Sequence, residues 1–371
     1  MIPVNEPIFG EEEKENLIKC IDDKWISSEG PYVKQFEEEF SEYVGCKYGI
    51  SVCNGTAAIE TALYALGVKE GDEVIIPDFT IISCAIAVIR LGAIPVVVDS
   101  ETETWNMNTD LIEGKITDKT KVIMAVHMYG HPVDMIQVNE IAKKHNLLVM
   151  EDAAEAHGVE YNNQKCGSLG DISSFSFYAN KIITTGEGGM VVTDNPEFAE
   201  RARSYRNLCF QKEKRFVHED MGYNFRMSNL QAAVGVAQLH QIEEFLRIKR
   251  RNGELYTELL KDIPGIAPQK IKENCNVNYW MYGILLNKDS KMDAKELAIS
   301  LKEKGVDSRP FFIGMHEQPF LLKRGLFKNE ECPVSKDLAR NGLYLPSGLS
   351  LTNDQINEVV DVLKSVLKEK K

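Results

Sequence analysis

The sequence predicts an α/β fold, in which helices cover both faces of a mostly parallel, seven-stranded sheet and a smaller C-terminal α+β domain follows. Three observations support this prediction. A chain of 371 residues is longer than one ordinary domain. Between residues 47 and 193, short β-branched runs alternate with helical patterns, which is typical of parallel sheets. The runs Val74–Ile76 and Pro95–Val98 lack polar alternation, as expected of strands buried on both faces.

Each predicted strand is a short apolar run bounded by turn residues or by a helical pattern. The seven predicted strands are Tyr48–Val52, Glu73–Ile76, Ile94–Val98, Lys121–Val126, Leu147–Met150, Ile172–Phe177 and Met190–Thr193.

A long amphipathic stretch, Ser228–Asn252, follows the sheet and is predicted to bridge to the second domain. We therefore expect a large domain of residues 1–250, which includes the N-terminal segment, and a small domain of residues 251–371. The small domain is predicted to be α+β because a strand pattern precedes two helical patterns. These elements are a strand near Tyr279–Leu286 and helices at Ala294–Lys304 and Asn353–Lys368.

Composition excludes several classes of protein. The 43 Lys and Arg residues against 56 Asp and Glu give a net charge of −13, which argues against nucleic-acid binding. No run of 18 apolar residues predicts a membrane helix, and the N-terminus lacks the pattern of a signal peptide. The eight cysteines form no CxxC pair and no metal-type spacing with histidine. We therefore expect a cytoplasmic protein with reduced thiols and without a metal site.

The segment from Ser51 to Ala58 combines a strand end, an Asn54-Gly55 turn and the start of a helix predicted at Ala57–Leu66. The free amides of a helix N-terminus and the helix dipole favour a phosphate group. The alternative is that this turn only connects a strand to a helix. A second candidate site follows the strand at Leu147–Met150, because catalytic residues of parallel sheets gather at the carboxyl ends of strands. Asp152 occupies that position, and its alternative role is a helix N-cap.

Lys181 closes the apolar and aromatic run that begins at Phe175, and Ser176 lies five residues before it. The alternatives are a solvated lysine and a core serine. Pyridoxal 5′-phosphate (PLP) requires an amine for its aldehyde and a carboxylate that keeps its ring nitrogen protonated. The glycines that follow Lys181 do not fit a GxxxxGK[ST] nucleotide loop, and no GxGxxG follows the first strand. The sequence therefore predicts PLP as cofactor, with Lys181 and Asp152 as catalytic residues.

Over nearly its whole length, the chain resembles the sugar aminotransferases of the DegT/DnrJ/EryC1/StrS family, which have PLP-dependent aminotransferase fold type I. The motifs that carry the resemblance are Trp25–Gly30, Asn54–Ala58, Gly71–Pro77, Glu103–Trp105, His127–Pro132, Thr184–Gly189, Gly222–Met227, Asn278–Met281, Ser308–Pro310 and Leu345–Ser347.

The resemblance implies a role for each matching residue. It assigns Lys181 to the Schiff base and Asp152 to the cofactor's ring nitrogen. It implies that Asn224 reaches the cofactor phosphate of a neighbouring subunit, so that the active unit is a homodimer with shared sites. Glu155 would lie over the cofactor ring, as in the perosamine-forming members of the family. The residues implied to hold the phosphate within one subunit are Gly55, Thr56 and Ser176.

The implied reaction moves the amino group of L-glutamate to C4 of a nucleotide-linked 4-keto-6-deoxy sugar. The most specific likeness implies GDP-4-keto-6-deoxy-D-mannose as acceptor and GDP-perosamine as product. Asp78 and Ile81 depart from the family pattern, as does the loop Phe311–His316 except at Phe312 and His316, and their roles stay open. The residues expected to bind the substrate are Trp25, Ser27, Ser28, Arg309 and His316.

Three alternatives remain at this point. A UDP- or dTDP-linked 4-keto sugar could replace the GDP-linked acceptor, because the PLP residues do not distinguish nucleotides. A sugar 3-dehydratase of the same family would carry histidine where Lys181 stands. A non-catalytic PLP-fold module would be expected to lose Lys181 or Asp152, and both are present.

Overall fold

The computed structural model describes residues 1–211 and 213–369. Among these residues, no helix combines the length and the apolar character needed to cross a bilayer. In chain order, the strands described are β1 (Tyr48–Val52), β2 (Glu73–Pro77), β3 (Ile94–Val98), β4 (Thr120–Val126), β5 (Leu148–Asp152), β6 (Glu160–Tyr161), β7 (Gln164–Lys165), β8 (Ile172–Ser176), β9 (Gly189–Thr193), β10 (Ile266–Pro268), β11 (Cys275–Asn276), β12 (Tyr282–Leu286), β13 (Arg309–Pro310) and β14 (Gly342–Leu345). The α-helices described are α1 (Glu11–Asp22), α2 (Pro31–Val44), α3 (Gly55–Ala65), α4 (Ser83–Arg90), α5 (Met135–His145), α6 (Pro196–Arg206), α7 (Asn229–His240), α8 (Ile242–Leu260), α9 (Ala294–Glu303), α10 (Pro319–Lys323), α11 (Pro333–Asn341) and α12 (Asn353–Glu369).

The large sheet has seven strands in the order β1-β9-β8-β5-β4-β2-β3. Strand β9 runs antiparallel to both of its neighbours, and the other six strands run in one direction. The seven predicted strands are these seven, so the predicted mostly parallel sheet is confirmed. Because six strands share a direction, the carboxyl ends of β1, β2, β4, β5 and β8 meet at one edge, where open α/β sheets bind ligands.

Apolar side chains cover both faces of this sheet. Val74 and Ile76 belong to a cluster on one face, and Ile75 between them belongs to a cluster on the other. Alternate residues of a strand point to opposite faces, and all three side chains are fully buried. The apolar run in the sequence therefore reflects burial on both faces.

The C-terminal part forms an antiparallel sheet in the order β10-β12-β14-β13, whose apolar side chains share one core with those of α8, α9 and α12. It has its own apolar core, as the predicted smaller α+β domain requires. The predicted strand at Tyr279–Leu286 starts only at Tyr282, because Tyr279 adopts a left-handed conformation with φ of 48°. Left-handed backbone is incompatible with a continuous strand.

Several connections tie the two parts together. The stretch Ser228–Asn252, predicted as one element, divides into α7 and α8 at Gln241. Residue 250 lies inside α8, so the division at 250 stays a prediction, and residues 370–371 of that small domain lie outside the described residues.

Ile2 donates its N–H to Gly305 O (2.8 Å) and forms an isolated β-bridge with Val306, which returns the N-terminal segment to the C-terminal part.

Candidate active site

A cavity of about 560 Å³ opens at the carboxyl edge of the large sheet, where β1, β5 and β8 end. It is lined by residues from both parts of the chain, including Trp280, Phe312 and Tyr344 of the C-terminal part. The predicted site residues that line it are Gly55, Thr56, Asp152, Glu155, Ser176 and Lys181.

One corner of the cavity combines a helix N-terminus with hydroxyl groups. Asn54 caps α3 by accepting a hydrogen bond from Ala57 N (2.9 Å), and the first turn of α3 carries Gly55 and Thr56. A Cβ on Gly55 would lie 2.7 Å from Ser176 Cβ, so only glycine allows β8 to approach this closely. The free amides of a helix N-terminus together with the Thr56 and Ser176 hydroxyls suit a phosphate group. This corner fits the phosphate of PLP.

Asp152 is the last residue of β5 and only 2% of its surface is exposed. Its Oδ2 accepts a hydrogen bond from Cys84 Sγ (3.4 Å) and its Oδ1 accepts one from Ala154 N (3.1 Å). Burial raises the pKa of Asp152, although the Ala154 amide and the charge of Lys181 act in the opposite direction. The alternative role as a helix N-cap is wrong, because the residues that follow form turns.

Lys181 lies in the turn that follows β8, beyond the strand end at Ser176. Its Nζ is 3.9 Å from Glu155 Oε1 and 3.8 Å from the centroid of the Trp280 ring. Burial lowers the pKa of Lys181, while Glu155 and Asp152 partly oppose that effect. A lowered pKa increases the fraction of neutral amine, which is the nucleophilic form.

Glu155 faces Lys181 across the cavity and is held by the Tyr129 amide, which donates to Glu155 Oε2 (2.7 Å). Burial raises the pKa of Glu155 to about 7, against the opposing effects of the Lys181 charge and the Tyr129 amide. Tyr129 presents its N–H from a left-handed conformation with φ of 55°. Glu155 can therefore change its protonation state near neutral pH.

Asn278 links the turn of Glu155 to Trp280. Its Nδ2 donates to the carbonyls of Glu155 and His157, both at 3.0 Å, and its Oδ1 accepts from Trp280 N (2.8 Å). Trp280 in turn donates Nε1–H to Asn180 O (2.8 Å), next to Lys181. Asn278 and Trp280 belong to the motif Asn278–Met281, but the sequence indicated no role for either residue. The only signal in the sequence that could have identified them is that this motif is shared with the family.

Glu151 lies on the other side of β5 from Asp152, and its carboxylate accepts more hydrogen bonds than that of Asp152. Its two oxygens accept hydrogen bonds from the amides of Gly167, Leu169 and Gly170, from Ser173 Oγ and from His127 Nε2. Burial acts to raise its pKa, but the His127 contact and the backbone amides outweigh burial and lower it. Glu151 thus anchors the chain before β8 and lies outside the cavity lining.

The other predicted site residues do not line this cavity within the described chain. Trp25 and Ser27 are exposed and Ser28 is half-buried in the segment after α1, and Asn224 is exposed opposite Asn207. Arg309 donates from Nη1 to Asp307 Oδ1 (2.6 Å). The His316 ring contacts Asp78 Oδ2 through Nδ1 (2.7 Å). The roles predicted for these residues stay predictions.

The chain is similar to known proteins over nearly its whole length. Residues 7–364 match the DegT/DnrJ/EryC1/StrS aminotransferase family. The chain is 41% identical to the GDP-perosamine synthase of Escherichia coli O157:H7, covering 100% of this chain and 99% of the relative. It is 38% identical to the GDP-perosamine synthase of Caulobacter vibrioides, covering 99% and 98%. The structure of S. venezuelae DesV in complex with a ketimine intermediate matches with a TM-score of 0.90 and 30% identity, covering 96% and 95%. The predicted family and fold are confirmed, and the chain belongs to the DegT/DnrJ/EryC1/StrS aminotransferase family of PLP-dependent sugar aminotransferases.

Proposed function

We propose that this enzyme transfers the amino group of L-glutamate to C4 of GDP-4-keto-6-deoxy-D-mannose and thereby forms GDP-perosamine. The observation that carries amino transfer is the buried Lys181 amine, which shares one cavity with the carboxylates of Asp152 and Glu155. The GDP-linked acceptor is supported by the full-length similarity to two GDP-perosamine synthases, at 41% and 38% identity.

PLP is the cofactor that fits these residues, and when bound it supplies an electron sink that lets an amine and a carbonyl exchange. Gly55, Thr56 and Ser176 would hold its phosphate at the N-terminus of α3. Asp152 would accept a hydrogen bond from its protonated ring nitrogen, since both carboxylate oxygens make few contacts within the protein. Lys181 would bind its aldehyde.

The residues of the chain then move protons between named atoms. Lys181 Nζ would take the proton from the α-carbon of glutamate in the first half-reaction, and in the second it would deliver a proton to C4 of the sugar. The lowered pKa of Lys181 favours the neutral amine that such a base requires. The buried setting of Asp152 and Glu155 limits access of water to the reacting atoms.

We propose further that the enzyme acts in the cytoplasm as a homodimer with shared sites. Asn224 is exposed at the surface of one chain, which leaves its side chain free to reach a second subunit. Mixing Lys181→Ala with Asn224→Ala protein should restore part of the activity, because some heterodimers would carry one intact site. A fully active monomer in sedimentation would contradict the shared site.

Mass spectrometry of products from a panel of nucleotide 4-keto sugars tests the acceptor. With glutamate as donor, we expect the highest kcat/KM for the GDP-linked sugar. If a UDP- or dTDP-linked sugar were used with higher kcat/KM, the GDP acceptor would be wrong and amino transfer would stand. Loss of water without gain of nitrogen would indicate the 3-dehydratase, although Lys181 stands where that enzyme carries histidine. A cofactor spectrum unchanged by glutamate would indicate a non-catalytic module.

A further inference from the structure

Asp78 and His316 form a hydrogen-bonded clamp between the large sheet and the C-terminal part of the chain. Asp78 directly follows β2 and is fully buried. Its Oδ1 accepts from His316 N (2.8 Å), its Oδ2 contacts His316 Nδ1 (2.7 Å), and its carbonyl accepts from Met315 N (2.9 Å). Three hydrogen bonds thus join one residue of the sheet edge to two consecutive residues 237 and 238 positions later in the chain.

Close packing around the clamp fixes the path of the loop. A Cβ on Gly314 would lie 2.3 Å from Asp78 Oδ2 and 2.9 Å from His316 Nδ1, so the chain can pass this carboxylate only as glycine. Cys332 is also near, and Asp, His and Cys together can hold a metal ion. Zinc ligands at their usual bond lengths stand about 3.3 Å or more apart. The 2.7 Å between Asp78 and His316 is instead a hydrogen-bond distance.

The clamp holds two side chains of the cavity wall. Ile81 lies three residues after Asp78, and Phe312 lies four residues before His316; both line the cavity. Phe311 is buried beside Phe312, with its ring centroid 4.8 Å from that of Tyr129 and 5.0 Å from that of Trp105. The separation of Ile81 and Phe312 therefore depends on the contact between Asp78 and His316.

We propose that the Asp78–His316 clamp is a positioning device that shapes the wall of the cavity for the nucleotide-sugar acceptor. This inference rests on the proposed function. Glutamate is small, and its reacting atoms lie near Lys181. A nucleotide sugar is several times larger, so it must contact more of the cavity of about 560 Å³, including the 39%-exposed side chain of Ile81. A shift of this wall should therefore affect the acceptor half-reaction far more than the glutamate half-reaction.

The two half-reactions of the PLP-loaded enzyme can be measured separately in Asp78→Ala, His316→Gln and the double variant. The glutamate half-reaction is followed by the cofactor absorbance, and the acceptor half-reaction by the amount of amino sugar formed. We expect a rise of about tenfold to a hundredfold in the acceptor KM, with the glutamate half-reaction unchanged. The double variant should lose little more than either single variant, because both remove the same contact.

Glu317→Gln is the matched control, since Glu317 follows His316 but pairs with Lys336 (3.9 Å) and Arg340 (3.7 Å) instead of Asp78. It should leave both half-reactions unchanged. Equal losses in the two half-reactions, no loss in either, or a loss confined to His316→Gln would each overturn the clamp. If Asp78→Ala fails to fold, His316→Gln by itself must raise the acceptor KM and leave the glutamate half-reaction unchanged. The acceptor in these measurements could prove to be a UDP- or dTDP-linked sugar. A loss confined to the acceptor half-reaction would then support the clamp while contradicting the proposed acceptor.

Discussion

The two sides of β5 hold adjacent carboxylates that the protein treats in opposite ways. Glu151 accepts hydrogen bonds from five groups and has a lowered pKa. Asp152 is almost equally buried, accepts only two and has a raised pKa. A carboxylate whose lone pairs are all used is a fixed structural charge, whereas one with unused lone pairs can still bind a ligand. Burial alone therefore does not identify a functional carboxylate in this chain.

Removing the Lys181 amine from the cavity should have the largest effect on activity. We expect Lys181→Ala to abolish transamination, because no other amine lines the cavity within the described residues. The variant should fold, since it removes a buried charge whose desolvation is unfavourable. Product analysis and borohydride reduction followed by peptide mass spectrometry check this. Normal turnover, or a reduced cofactor adduct still attached to the chain, would show that Lys181 is not the PLP lysine.

The next largest effect should come from Asp152→Asn. Because an amide carries no charge, the variant cannot stabilise a proton on the cofactor's ring nitrogen, and we expect kcat to fall by about 10²- to 10⁴-fold. Thermal unfolding should change little, since the amide fills the same space. The cofactor absorbance as a function of pH provides the second measurement. An active variant with an unchanged cofactor spectrum would assign Asp152 a structural role.

Glu151→Gln should lower stability and leave turnover unchanged, which is the reverse of the result expected for Asp152→Asn. The introduced amide would direct its N–H groups at backbone donors and at His127, and we expect a loss of about 3–5 kcal/mol in the free energy of unfolding. Turnover per folded molecule should be retained, since Glu151 does not line the cavity. Urea unfolding and active-site titration measure the two quantities. Unchanged stability with lost turnover would mean that the two carboxylates have been assigned the wrong roles.

Glu155 should produce the smallest effect, visible as a dependence of stability on pH. Its pKa is raised from 4.5 to about 7, so the folded protein keeps a proton that the unfolded chain has lost. The contribution of Glu155 to the stability of the cofactor-free protein is therefore lost as pH rises from about 4.5 to about 7, and it amounts to about 3 kcal/mol at most. In urea unfolding, the difference in free energy of unfolding between the protein and Glu155→Gln should change by that amount across this range. Parallel curves for the two proteins would contradict the raised pKa.

The sheet could be predicted from the sequence because each strand is a local apolar run. The local chain also placed Asp152 at the end of a strand, whereas Lys181 lies in the turn beyond the end of β8. The break at Gln241 could not be predicted, because no proline or glycine stands there. The difference between Glu151 and Asp152 was not predicted, because the predicted strand stopped at Met150, whereas the observed β5 continues through both residues. The donors that satisfy Glu151 also come from a turn 16 to 19 residues later.

Contacts between distant parts of the chain limited the rest of the site prediction. His316 and Arg309 were predicted to bind substrate, but in the fold His316 contacts Asp78 and Arg309 contacts Asp307. Asp78 departs from the family pattern, as does the loop Phe311–His316 except at Phe312 and His316, and only the structure shows that Asp78 contacts His316. No local pattern relates residues that are separated by 238 positions.

The return of Ile2 to Val306 has a consequence for synthesis on the ribosome. Ile2 is synthesised before Val306, its partner residue, which is translated about 15–60 s later at ordinary elongation rates. The strands of the large sheet, between Tyr48 and Thr193, are all made before that. During this interval the apolar side chain of Ile2 lacks the C-terminal apolar cluster to which it belongs and is available to chaperones. Ile2 is thus made before the large sheet but reaches its native contacts only after the C-terminal part has been synthesised.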